Sequence, residues 1–419
     1  MAALSTQVIA AELRRIYSQV LAKALNLTRN LPDAEDAVHD AIERALKSWP
    51  STGTPDSPEA WLVAVAANCY RDRLRSARRE ATREDVLSTL AEMSPWARIA
   101  LADADVARGW KDELLMLLFA CCHPALDAGE SAAHALATVI GLSTEEIARA
   151  FLVAPRAMEQ RLTRARRRLR ERGEFEGARP AQVVERVDAI LCVIHLLFNE
   201  GYWSGDDEAP IRADLCRLGV GLARSLHDAF PDTPEVSGLL ALLLLHEGRR
   251  PARGDGEGAP VPLPEQDRSR WDRIMIAEGT ALLERALAQG APGPFQTEAA
   301  ISAVHCRSPT ADATDWPEIA ALYALLERMR PSPAVRVNRA FAVARAQGAA
   351  TGLALLDGGG DTLEEHGYTH LVRGVLLGEL GRKTEAVTSL EQAQRLARNR
   401  QEALQIGRRI ERLRRPATE

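Results

Sequence analysis

Apolar residues recur along the chain at steps of three and four, the spacing of amphipathic helices. In one such segment, residues 33–46, Asp33 follows Pro32 and is the expected N-cap. Its apolar stripe consists of Ala34, Ala37, Val38, Ala41, Ile42, Ala45 and Leu46. A loop rich in Pro, Ser and Gly at 50–58 precedes a second helix that begins near Glu59. The pattern therefore predicts a small helical unit over residues 7–80.

Residues 142–172 predict a short helix, a tight connection at 152–154 and a long basic helix that starts at Pro155. The inward face of the short helix is predicted to consist of Ile147, Ala148 and Phe151. The inward face of the long helix is predicted to consist of Met158, Leu162, Ala165 and Leu169. The opposite arc of the long helix carries Arg156, Gln160, Thr163 and Arg167, flanked by Arg164 and Arg170. This order is typical of a helix-turn-helix whose second helix reads base edges. The alternative is a solvated, Arg-rich surface helix.

Two further surfaces are candidates for binding. On the helix at 59–79, Leu62, Val65, Ala66 and Cys69 share one face. A second face carries Asn68, Arg71, Arg75 and Arg78, which suit contact with nucleic acid or only solvation. Helix 33–46 carries an acidic face formed by Glu35, Asp36, His39, Asp40 and Glu43. That face is either solvated or a docking surface for a basic or polar partner.

The remainder of the chain predicts a linker at 81–107, a second helical unit at 108–177 and Ala- and Leu-rich helix pairs at 181–415. The last part hints at a tetratricopeptide-like (TPR-like) repeat, with an ordinary helical bundle as the alternative. One helix pair carries small and large residues at the expected positions Gly374, Leu377, Ala386, Leu390 and Ala393. The first four of these positions recur one 34-residue period earlier as Ala340, Val343, Gly352 and Leu356. The Gly- and Pro-rich segment 248–267 predicts a mobile loop.

Composition narrows the function classes. The chain has 419 residues, of which 46% are apolar and 5% aromatic, and this favours an all-α protein of two or three domains. A membrane protein is not expected, because no apolar run approaches the roughly 18 residues of a span. A secreted protein is not expected either, because the N-terminal residues MAALSTQVIAAELRRIY lack the basic-then-apolar order of a signal peptide. Six irregularly spaced cysteines predict reduced thiols in the cytoplasm.

The net charge of −5 conceals two basic helices: six Arg against two acidic residues at 68–83, and eight against two at 155–172. Such concentration favours targeted contact with DNA. No catalytic motif is present, and Cys121, Cys122 and His123 lack the spacing of metal ligands. We therefore expect no enzyme activity, no cofactor and no metal.

Taken together, these motifs resemble the sigma-70 family of RNA polymerase subunits. The runs DAEDAVHDAIERAL and GTPDSPEAWLVAVAANCYRDRLR are similar to region 2, and LSTEEIARAFLVAPRAMEQRLTRARRRLR to region 4. The closest type is the extracytoplasmic-function (ECF) sigma factor. The extension from 181 to 419, with LLFNEGYWSGDDE and WDRIMIAEGTALLERAL, resembles the subgroup that bears a C-terminal TPR-like domain.

The resemblance implies roles for the surfaces described above. Helix 33–46 would dock on the β′ clamp helices of core RNA polymerase, and residues 61–79 with the preceding loop would engage and melt the −10 element. Helix 155–170 would read the −35 element, with the β flap as a further polymerase contact. The sequence departs from the family at His39, where Gln is expected, and at 68–70, where Asn-Cys-Tyr leaves the −10 preference open.

The sequence thus predicts a promoter-specificity subunit of RNA polymerase whose TPR-like domain modulates its activity, with a regulatory protein or peptide as a candidate ligand of that domain. One alternative is a stand-alone helix-turn-helix regulator with a TPR-like sensor. Another is a TPR adaptor whose basic helices bind acidic protein. Co-purification with core polymerase and run-off transcription separate the three.

Overall fold

A computed structural model describes residues 6–28, 30–80, 113–123, 125–151, 153–171, 180–202, 212–254, 261–358, 366–397 and 399–414. In these ranges the regular secondary structure consists of helices, which confirms the all-α prediction. None of the described helices combines the length and the apolarity that a membrane crossing requires. The linker predicted at 81–107 lies outside the described residues.

The chain forms two compact units, Met1–Leu197 and Phe198–Glu419. The first unit contains the residues of both helical domains predicted for the N-terminal half, 7–80 and 108–177. The boundary between the units falls inside one helix, and the division of the chain into three domains stays a prediction. In chain order the helices that begin in the first unit are α1 (Thr6–Thr28), α2 (Leu31–Thr52), α3 (Pro58–Glu80), α4 (Glu113–Cys121), α5 (Ala128–Ala135), α6 (Thr144–Ala150), α7 (Pro155–Glu171) and α8 (Pro180–Tyr202), with a π-helical turn at Leu136–Ile140 between α5 and α6.

Helix α2 begins one turn earlier than the sequence predicts. Its N-cap is Asn30, whose side chain accepts a hydrogen bond from the backbone N–H of Asp33 at 3.1 Å, so the prediction of Asp33 as the cap is wrong. Pro32 explains the difference, because proline is accommodated in the first turn and the cap must precede it. The stripe is buried at Ala34, Val38 and Ala41 and at most other predicted positions, but Leu46 is 37% exposed.

The helices of the second unit are α9 (Ala213–Ala229), α10 (Pro234–Glu247), α11 (Arg273–Leu287), α12 (Pro294–Arg307), α13 (Trp316–Met329), α14 (Pro333–Gln347), α15 (Ala349–Asp357), α16 (Gly367–Glu379), α17 (Lys383–Arg395) and α18 (Arg400–Arg414). Helix α10 is apolar on all sides and contacts α9, α11 and α12. A helix of this kind is stable only when it is surrounded by other helices. It therefore forms the centre of the first half of this unit.

The two helix pairs predicted at 340–393 are present, and each has one glycine at its closest approach. In the pair α14–α15, a Cβ on Gly352 would lie 2.5 Å from the backbone oxygen of Ala340. In the pair α16–α17, a Cβ on Gly374 would lie 3.1 Å from the backbone oxygen of Ala386. Gly374 is one 34-residue period after Ala340, and Ala386 is one period after Gly352. The same close contact thus recurs with glycine and alanine exchanged.

The segment 248–267, predicted to be a mobile loop, contains buried side chains in both of its described parts. Arg249 and Arg253 are buried, and the Arg253 guanidinium lies 3.2 Å from the ring centre of Tyr202. Arg253 also donates to the backbone oxygen of Tyr202 at 2.7 Å. Gln266 is buried and donates to the backbone oxygen of Val261 at 3.1 Å. These side chains anchor the two described parts of the segment, 248–254 and 261–267.

Candidate functional site

Helix α7 presents the arc that the sequence predicts. Met158, Leu162, Ala165 and Leu169 are buried, whereas Arg156, Gln160, Thr163, Arg164 and Arg167 are all exposed. The Thr163 hydroxyl donates to the backbone oxygen of Glu159 at 2.9 Å, which fixes its orientation along the helix. Arg167 lies 3.5 Å from Glu171, an exposed i, i+4 pair that a competing anion can displace. The arc thus offers cationic and amide donors to an external acceptor.

Two local devices fix the orientation of α7. Helix α6 starts with a capping box, in which Ser143 accepts from the N–H of Glu146 and the Glu146 carboxylate accepts from the N–H of Ser143. Phe151 is only half-buried, rather than fully inward as predicted, and the Arg161 guanidinium lies 5.4 Å from its ring centre. The connection between the helices is therefore held by side chains at both ends.

On helix α3 the predicted apolar face is buried at Leu62, Ala66 and Cys69 and half-buried at Val65. On its polar face Asn68 and Arg71 are exposed and are bonded to each other, Arg71 Nη1 to Asn68 Oδ1 at 2.7 Å. The side chains of Arg75 and Arg78 lie outside the described part of the chain. The polar face is therefore described only at its N-terminal end.

The acidic face of α2 is neither simply solvated nor open. Arg73 of α3 pairs with Asp36 at 3.1 Å and with Asp40 at 2.7 Å. Arg170 of α7 approaches the second oxygen of Asp36 at 3.5 Å. Glu43 pairs with Lys47, one turn further along the same helix. Helix α2 therefore shares its carboxylates with basic side chains from two other helices of the same unit.

A small polar network continues this face towards α1 and the π-helical turn. Thr138 donates to Glu35 at 3.1 Å and lies 3.3 Å from Nδ1 of the fully buried His134. The rings of Tyr17 and His39 stack, and the Tyr17 hydroxyl lies 3.4 Å from Nε2 of His39. The network thus joins α1, α2 and the segment that leads into α6.

Burial shifts the pKa values of the groups in this network. It raises the pKa of Glu35, against the opposing effect of the Thr138 hydrogen bond and of Arg166 and Arg170. It lowers the pKa of His134 to about 4, and the nearby charge of Arg166 acts in the same direction. His134 is therefore neutral at physiological pH.

The cysteines show no arrangement typical of a metal site. Cys121 and Cys122 are both buried at the end of α4, and burial raises the pKa of Cys122 to about 12. The side chain of His123 accepts from the backbone N–H of Ala125 at 3.0 Å. Among the described residues, no group of three or more His, Cys, Asp or Glu side chains is placed to hold a metal ion.

Comparisons with known proteins identify the family. Residues 13–80, which contain most of α1 and all of α2 and α3, match sigma-70 region 2. The chain belongs to the sigma-70 family. Residues 186–287 of this sigma-70 family protein match a second family, which is of unknown function (DUF6596). The chain is also 44% identical, over 391 residues, to an uncharacterized protein of Rhizobium meliloti (strain 1021), with 93% of this chain and 92% of the relative covered. No solved structure matches the chain.

The match to region 2 confirms the predicted family, whose members are non-enzymatic factors of transcription initiation that bind core RNA polymerase and promoter DNA. Sequence reasoning missed the partners of the α2 carboxylates. Arg73 was counted only within a basic run, although it lies on α3 one turn from Cys69 and can reach α2. Thr138 and Arg170 follow Glu35 and Asp36 by more than 100 positions, so local periodicity carries no signal for them.

Proposed function

We propose that this sigma-70 family protein is a cytoplasmic sigma factor of the ECF type that recruits core RNA polymerase to specific promoters. Helix α2 docks on the β′ clamp helices, and the carboxylates of its acidic face are the principal contacts. The polar face of α3 engages the −10 element. Helices α6 and α7 act as a helix-turn-helix that reads the −35 element and adjoins the β flap.

One observation carries the proposal. A chain that matches region 2 over residues 13–80 also contains, further along, a capped short helix followed by a long basic helix with an exposed arc of Arg and Gln. Arg pairs with the major-groove edge of guanine and Gln with that of adenine. The arc lies opposite a buried stripe, so it is available to DNA without any rearrangement of α7.

Run-off transcription with purified core polymerase tests the proposal. The promoter is selected from a random library by the reconstituted holoenzyme. Replacing Arg156, Gln160 and Arg167 by Ala should reduce holoenzyme binding to that promoter by about 10-fold or more, because each base contact is worth about 1–3 kcal/mol. Core binding should be unchanged.

The control variant replaces Arg285 and Arg328, two exposed arginines of the second unit, by Ala. Like the triple variant, it loses two positive charges. It should bind the promoter like the wild type. Full promoter activity of the α7 triple variant would remove the −35 assignment. Promoter binding by the protein without core polymerase, at the same affinity, would favour a stand-alone regulator.

We also propose that the second unit is a TPR-like domain that binds a regulatory protein or peptide and modulates activity. Its support is the repeated glycine-dependent packing of α14–α15 and α16–α17, since stacked helix pairs form extended surfaces for partners. Truncation after Tyr202 keeps α8 intact, whereas truncation after 177 also deletes residues of the first compact unit. The variant truncated after Tyr202 should bind core polymerase but differ from the full chain in transcription. Identical transcription would remove the regulatory role.

A further inference from the structure

The acidic face of α2 is approached by helices that the sequence assigns to a different functional module. Arg170 of α7 reaches Asp36, and Thr138 of the π-helical turn donates to Glu35. The positive charge of Arg166, one turn before Arg170, acts to lower the pKa of Glu35 and of His39. The carboxylates that would meet the polymerase are therefore engaged from within the same unit.

We infer that the free protein is held in a closed, autoinhibited state, in which α7 and the π-helical turn engage Asp36 and Glu35 on the polymerase-docking face of α2. This inference rests on the docking role proposed for that face. We call the contacts of Arg170 and Thr138 with α2 the closed contact. To dock on a clamp helix, α2 must exchange these internal partners for external ones.

The position of the closing side chains on α7 supports this inference. At 100° per residue, Arg166 and Arg170 lie on one flank of α7, between the buried stripe and the exposed arc. The opposite flank is used for packing inside the module, because Arg168 pairs with the buried carboxylate of Glu130 and Arg161 covers Phe151. The exposed arc that would read DNA is left uncovered. The closed contact therefore blocks polymerase docking and not the DNA-reading surface.

The contact is weak enough to open. The side chains of Arg170 and Asp36 are 65% and 41% exposed, and an ion pair at such a site contributes little because water screens it. The hydrogen bond from Thr138 to Glu35 is the second link. Helix α1 also packs against α4 and the π-helical turn, so the closed state is the major one, and a minor open state of about 1–10% is in the usual range. Apparent affinity for a partner of the open state is reduced by that fraction, roughly 10- to 100-fold.

Charge reversal on the α7 side opens the contact without touching α2. In the full chain, spin labels are attached at Ser51→Cys, at the end of α2, and at Glu145→Cys, in α6, with Cys192→Ser to remove the one native cysteine that is not fully buried. Pulsed dipolar spectroscopy should give one short, narrow distance for this protein. Adding Arg166→Glu and Arg170→Glu should give a longer and broader distribution. Affinity for core polymerase should rise at least fivefold.

The matched control reverses Arg164 and Arg167, two charges of the same helix that face away from α2. It should lose promoter binding but keep the short distance and the wild-type affinity for core. An unchanged distance in the Arg166→Glu, Arg170→Glu variant would overturn the closed contact. A longer distance with unchanged core affinity would overturn its inhibitory role. If neither the wild type nor any variant binds core polymerase, the proposed function has failed, and the distance alone still decides whether the closed contact exists.

Discussion

The docking role of α2 can be tested by reversing two carboxylates, Asp36→Lys and Asp40→Lys. The change breaks three ion pairs: Asp36 with Arg73 at 3.1 Å, Asp40 with Arg73 at 2.7 Å and Asp36 with Arg170 at 3.5 Å. The side chains involved are 39–65% exposed, so each pair contributes about 0.2–1 kcal/mol. Removing all three costs about 1–2 kcal/mol in free energy of unfolding, and repulsion from the new lysines adds a similar amount at most.

That cost is smaller than the stability of a typical domain, about 5–15 kcal/mol, so the variant should stay folded. Its helix content by circular dichroism should match the wild type. If the carboxylates contact the polymerase, affinity for core measured by fluorescence anisotropy should fall at least 10-fold, which corresponds to about 1.4 kcal/mol. Adding Arg73→Glu restores opposite charges within the unit. It should recover the lost stability but not the lost affinity.

Three results would refute the docking role. Unchanged affinity in a folded variant would mean that the acidic face does not meet the polymerase. Recovery of affinity with Arg73→Glu would mean that the carboxylates act only through the position of α3. A tighter complex would mean that Asp36 and Asp40 serve only to hold the closed contact, since the change also separates Asp36 from Arg170.

Three further predictions concern stability. Gly352→Ala should destabilise the second unit by about 1–3 kcal/mol in urea unfolding, because the new Cβ would lie 2.5 Å from the Ala340 oxygen. Gly221→Ala should stabilise the same unit by about 0.5–1 kcal/mol in that assay, because a Cβ at this position inside α9 meets open space. Ser143→Ala should cost about 1 kcal/mol in the same assay by removing the cap of α6. His134 has a pKa of about 4 in the folded protein and about 6.5 in the unfolded chain, so the unfolded chain binds the extra proton in this pH range. The free energy of unfolding should therefore fall by about 3 kcal/mol as the pH drops from about 7 to about 4. His134→Gln should reduce this pH dependence, and an unchanged dependence would mean that His134 is not its source.

The sequence predicted the elements whose signal is local. The buried stripe of α7 follows from four apolar residues at helical spacing, and Pro155 marks the start of that helix. The N-cap of α2 was missed because Asn30 and Asp33 are both good capping residues, and only the tolerance of the first turn for Pro32 distinguishes them. That signal was present in the sequence.

Other features depend on contacts that no local pattern encodes. The composition of 248–267 indicates irregular backbone, but whether such a segment packs depends on a distant aromatic residue, here Tyr202 for Arg253. The acidic face of α2 was predicted to be either solvated or a docking surface. Its partners Arg73, Thr138 and Arg170 are brought to it by the folding of the unit, 33 or more positions along the chain. Charge alone could not show that its carboxylates already have partners.

The arginines of α7 divide into groups with different partners, and this bears on how the protein holds DNA. Of the eight arginines at 155–172, Arg161 covers Phe151, Arg168 pairs with Glu130, and the flank of Arg166 and Arg170 faces α2. Arg156, Arg164 and Arg167 remain on the exposed arc, while Arg172 lies outside the described residues. Because the salt dependence of DNA binding scales with the number of phosphates neutralised, α7 would contribute a slope nearer to three than to eight. With so few phosphate contacts, α7 would bind DNA weakly by itself. This favours promoter recognition in which the polymerase brings α7 to DNA together with α3.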